Sequence, residues 1–100
     1  MLTKAIFATL VAKEGKQAQV EEFLKSAQVL IEEEHGTRTW YAVRLSARNY
    51  GIFDTFDDER GMQTHLHGKI AAALAEKAPE LFDEEPVIHS YDILANVQKP

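Results

Sequence analysis

One hundred residues, 45% hydrophobic and 27% charged, suit one folded domain with a small core. A net charge of −5 with no basic cluster argues against nucleic acid and anionic membranes as partners, and the lack of cysteine excludes disulfides and thiolate metal sites. No apolar run approaches the ~20 residues that span a bilayer, and the amino terminus lacks a secretory pattern, so the sequence reads as cytoplasmic.

Met1 to Ala12 reads as a strand that is apolar on both faces. Ile6, Ala8 and Leu10 lie on one side of the pleat and Ala5, Phe7, Thr9 and Val11 on the other. One side can pack on the chain's own helices; the other needs a partner, for which a second copy is the natural candidate. After a turn at Glu14-Gly15-Lys16, the spacing of Val20, Phe23, Leu24, Ala27, Leu30 and Ile31 predicts a helix from about Gln17 to Glu34, ended by Gly36 as a C-terminal cap. Glu32-Glu33-Glu34 then opposes the helix dipole at a cost of a few tenths of a kcal/mol each, as expected of a solvated helix end.

Thr37 to Leu45, rich in β-branched and aromatic residues, predicts a second strand, with a turn at Ser46 to Asn49 and a third strand from Tyr50 to Phe56. Asp57 or Asp58 is placed to cap a helix with Met62, Leu66, Ile70, Ala73 and Leu74 on its buried stripe. Pro79 is expected to break that helix, a short turn over Glu80 to Phe82 to follow, and Pro86 to open a last strand, Val87 to Leu94. The order strand, helix, strand, strand, helix, strand predicts an α+β, ferredoxin-like βαββαβ domain over residues 1–100, with helices on one face of an antiparallel sheet. Two such sheets face to face would close a barrel-like dimer core.

From about Ala5 to Leu94 the chain resembles the antibiotic biosynthesis monooxygenase family of dimeric α/β barrels. The landmarks are Gly15 before the first helix, Glu34-His35-Gly36 before a strand with Trp40, and Ile52-Phe53-Asp54-Thr55-Phe56-Asp57-Asp58 running into a helix that carries His65. The family usually has Glu at the place of Asp54 and Trp at that of Phe56, and many members carry a His or aromatic where this chain has Ile70. Haem-degrading relatives use an Asn, a Trp and a His at positions nearest Ala8, His65 and Ala75, so the residues here do not fit haem degradation. The resemblance implies a homodimer, a small aromatic or hydrophobic metabolite as ligand, and oxygenation without a cofactor.

Among residues that could carry chemistry, His65 sits at the border of its helix's buried stripe, and an imidazole with a pKa near ~6.5 can act as a general base. Asp54 alternates with Ile52 and Phe56 on a strand face that should be buried, so its carboxylate needs a partner: Arg44, His65 or a tyrosine hydroxyl. Trp40, Tyr41 and Phe56 are the candidate walls for an aromatic ligand, with Arg44 a candidate for balancing its charge. His65 and His67 point about 200° apart on a helix and cannot grip one ion, and no spaced metal motif exists, so no metal is expected. Dinucleotide, triphosphate and serine-esterase motifs are absent as well. The leading expectation is thus a cofactor-independent monooxygenase; the alternatives are a non-catalytic small-ligand-binding or stress-associated barrel and a cofactor-free isomerase.

Overall fold

The computed structural model describes residues 1–100. It contains β1 (Lys4–Val11), α1 (Gln17–Glu32), β2 (Thr37–Arg44), β3 (Asn49–Phe56), α2 (Glu59–Leu66), α3 (Lys69–Leu81) and β4 (Val87–Asp92). The strands pair antiparallel in the order β2-β3-β1-β4, the predicted ferredoxin-like topology.

Register fixes which side chains meet. The row Trp40, Asp54, Ile6 and the row Ala42, Ile52, Ala8, Ile88 face the helices. Tyr41, Phe53, Phe7 and His89 form a row on the opposite face. On the helix side Leu10, Tyr50, Val20, Leu24, Leu74 and Leu81 close the main core. No helix covers the other side, where Tyr41 is 57% and Phe53 39% exposed. No helix is long and apolar enough to cross a membrane.

Three predicted details differ. First, α1 ends at Glu32 with Glu33 as its cap, two residues before the expected end, and Gly36 does not take the left-handed conformation of a glycine cap. Gly36 serves close packing instead: a Cβ there would lie 2.9 Å from the Cα of Gly61 in α2. Second, the expected single helix is broken at His67-Gly68 into α2 and α3, with the Asp58 side chain capping α2 by accepting from the Gly61 amide at 2.8 Å. Third, Pro79 does not break α3, which runs on to Leu81. The missing amide falls in the last turn, so little helix remains to be disturbed, and the Pro79 carbonyl accepts a hydrogen bond from Lys13 Nζ at 2.6 Å.

A β-bulge between Thr37 and Thr39 shapes the site. Thr39 opposes Thr55 on the open face, but the extra residue Arg38 lets Thr37 oppose Phe56, on the helix side. A regular strand would have put both threonines on the same face.

Candidate active site

Asp54 is fully buried in the middle of β3, and α2 brings the His65 imidazole over it, with Nε2 2.9 Å from Oδ2. The contact is one of charge rather than an aligned hydrogen bond, because neither Asp54 oxygen has a hydrogen-bond partner of good geometry. On its other side the imidazole meets Glu34, from the segment between α1 and β2, with Nδ1 2.6 Å from Oε1. The Thr37 hydroxyl donates to the same Glu34 oxygen at 2.8 Å, holding the carboxylate in place. A buried chain of carboxylate, imidazole and carboxylate results. Phe56 packs beneath the imidazole, ring centroids 5.3 Å apart.

Burial of His65 by itself disfavours the charged ring, but Asp54 and then Glu34 outweigh it, and the pKa is raised above the ordinary 6.5. With an acid oxygen against each ring nitrogen, the protonated form satisfies both contacts. In that protonated form the ring has no free lone pair for a substrate proton. The open acceptor is Asp54.

A cavity of about 240 Å³ lies between sheet and helices against this chain, and 11 of its 15 lining residues are hydrophobic. Asp54, His65 and Trp40 form its polar wall, Ile6 and Ile52 its floor, and Ala71, Ala75 and Ala78 of α3 part of its roof. The buried Trp40 indole N–H has no partner, and Trp40 pairs directly with Asp54 across the β2–β3 ladder. An orphan donor and an orphan acceptor thus belong to neighbouring residues that both line the cavity.

The structure brings together Asp54, His65 and Trp40 and leaves the other predicted residues elsewhere. Arg44 does not reach Asp54: it is level with Tyr50, four residues along the strand and about 13 Å away. Its guanidinium donates to Glu21 at 2.6 Å instead, beside the Tyr50 hydroxyl, which donates to the same oxygen. Phe56 is fully buried with Ile6 and Met62 and supports the imidazole, without lining the cavity. Tyr41 points to the open face of the sheet, since alternation opposes it to Trp40. Glu34 and Thr37 are the residues that sequence reasoning missed. The third glutamate of an unfavourable helix end, two residues before a glycine, was the available signal.

The sequence matches no protein-family model and no curated protein. The crystal structure of NE2512 from Nitrosomonas europaea, a protein of unknown function, superposes with a TM-score of 0.96 at 40% identity, over 100% of this chain and 97% of that one. The chain belongs to the NE2512 family. Its fold is that of the antibiotic biosynthesis monooxygenases. A proposed enzyme of that description from Caulobacter crescentus aligns with a TM-score of 0.81 at 16% identity, over 94% of this chain and 92% of that one. Another, from Nitrosomonas europaea, aligns with a TM-score of 0.81 at 10% identity, over 92% and 90% of the two chains.

Proposed function

We propose that the protein is a homodimeric, cofactor-independent monooxygenase of a small, electron-rich phenol of the quinol type. The observation that carries this reading is the buried Glu34–His65–Asp54 chain set into the wall of an apolar cavity, beside the unpartnered Trp40 N–H. Asp54 accepts the phenolic proton, the imidazolium beside it balances the charge, and Trp40 donates to the oxygen left behind. The anion then gives one electron to dioxygen. The two radicals join in a carbon–oxygen bond, the peroxide anion takes back one proton, and the resulting hydroperoxide loses water to leave a carbonyl, so that one oxygen atom enters the product and the other leaves as water. The apolar cavity, once filled by substrate, keeps the anion from being reprotonated by solvent.

Size and charge narrow the substrate. A cavity of about 240 Å³ suits one or two fused rings. Asp54 and Glu85 line it and no Lys or Arg does, which favours a neutral phenol over a carboxylated one. The uncovered sheet face, with Phe7, Phe53, Tyr41 and Val43, supports pairing with a second copy.

The test is oxygen uptake with a panel of hydroquinones and anthrone-like phenols, comparing the wild type with Asp54→Asn. Uptake that drops by about 100-fold or more in the variant is expected. Equal rates, or no uptake by either protein, reject the reading. Deuterium entering the substrate without oxygen uptake would assign isomerase chemistry instead.

A further inference from the structure

His65 separates two different spaces. On one side is the apolar cavity with Asp54; on the other is a cleft of about 360 Å³ between the α1–β2 segment and the α2–α3 junction. Only one of that cleft's 11 lining residues is hydrophobic, and Glu34, Thr37, Thr64 and Lys69 are among them. His65 is the one residue that lines both spaces. It is nearly buried, and each of its nitrogens faces a carboxylate belonging to a different side: Nε2 faces Asp54 at 2.9 Å and Nδ1 faces Glu34 at 2.6 Å. Glu34 has a second oxygen, Oε2, that is buried and has no partner in the protein.

We propose that His65 and Glu34 form a proton conduit from Asp54 to the polar cleft, so that the proton taken from a bound phenol leaves by a route separate from the phenol's own. This rests on the acid–base reading of the cavity given above. Asp54 takes the phenolic proton while the doubly protonated ring gives its Nδ1 proton to Glu34; the ring then turns to bring its bare nitrogen to Asp54, takes up the proton held there, and is again protonated on both nitrogens. Glu34 gives the proton it received to water or a buffer base in the cleft. At the end all three side chains have their starting protonation, and the net change is one proton moved from phenol to solvent.

The arrangement answers a problem that the apolar cavity creates. A phenol filling the space in front of Asp54 blocks water there, so a proton held on Asp54 could only return to the anion. A rear exit removes it without wetting the cavity. Glu34 acts through His65 and does not touch the substrate, which makes it a positioning and relay residue. Thr37, turned to this side by the β-bulge, fixes the Glu34 oxygen that meets the ring. The charged and titratable groups lining the two spaces beside the ring are Glu33, Glu34, His35 and Lys69 in the cleft and Asp54 and Glu85 in the cavity.

Two variants test the conduit, each with a readout that does not need turnover. In Glu34→Gln, nitrogen-15 NMR of the His65 ring should show its titration midpoint lowered by about one unit or more. In Glu34→Ala, exchange of the His65 ring protons with solvent should slow and be restored by formate, which can enter the cleft, but not by chloride at equal ionic strength. Oxygen uptake by Glu34→Ala should fall at least about tenfold and recover with formate in a saturable way, while the wild type ignores formate. An unmoved midpoint in Glu34→Gln, or exchange in Glu34→Ala that is indifferent to formate, overturns the conduit. If no phenol supports oxygen uptake, the proposed reaction fails by itself, and the NMR readouts still decide the conduit.

Discussion

Gly36 and Gly61 pack backbone against backbone, and this contact sets the distance between the loop that carries Glu34 and the helix that carries His65. A Cβ on Gly36 would approach the Gly61 Cα to 2.9 Å, and one on Gly61 would approach the Gly36 carbonyl oxygen to 3.1 Å. Neither neighbour is a flexible side chain that could swing away. Gly36→Ala should therefore lower stability by about 1–3 kcal/mol, as overpacking does. In a chain of this size, thermal denaturation would show a midpoint drop of roughly 4–8 °C per kcal/mol. A midpoint equal to that of the wild type would mean that loop and helix are not held together here.

The raised pKa of His65 makes stability depend on pH in a definite direction. Between its unfolded value of 6.5 and its higher folded value, the native state holds more protons than the unfolded one. Stability from this group is complete below 6.5 and is lost as pH rises through the folded pKa. Urea denaturation of the wild type and His65→Gln over a pH series isolates the effect. The wild type's advantage should shrink as the solution becomes more alkaline; an advantage that grew would mean that burial, not the two carboxylates, governs the ring.

Phe53 lies on the uncovered face between Phe7 and Tyr41, where the second protomer is expected. Phe53→Glu would bury an unpaired charge in each half of a symmetric interface. Sedimentation should show the dimer dissociation constant raised by about 100-fold or more. The fold of each chain should survive, because the side chain is already 39% exposed in the protomer. A wild-type chain that sediments as a monomer at micromolar concentration would remove the dimer from the proposal.

Period-two alternation was enough to put Asp54 on a buried strand face with Ile52 and Phe56, and the unfavourable burial of a carboxylate there was enough to require a partner; register then placed that face against the helices. Choosing that partner was harder, because Arg44 and His65 looked equivalent until strand register separated Arg44 from Asp54 along the sheet. Glu34 stood out as part of a family landmark and not as a site residue, for a local reason: periodicity extended α1 two residues too far and so assigned it to a solvated helix end. Thr37 escaped because a bulge at Arg38 reverses the side to which it points, and no residue in that stretch is one that marks a bulge. Glu34 lies between α1 and β2 and Thr37 opens β2 ahead of its bulge, so neither the helical nor the regular strand repeat applies to them.

Three alanines of α3, Ala71, Ala75 and Ala78, stand four and three residues apart and meet the cavity with nothing larger than a methyl group. Their small size leaves the hollow open, while the acid–imidazole chain is held by other elements. Selection could therefore enlarge or fill the hollow at these positions, altering which molecules are admitted, and leave the machinery beside it untouched.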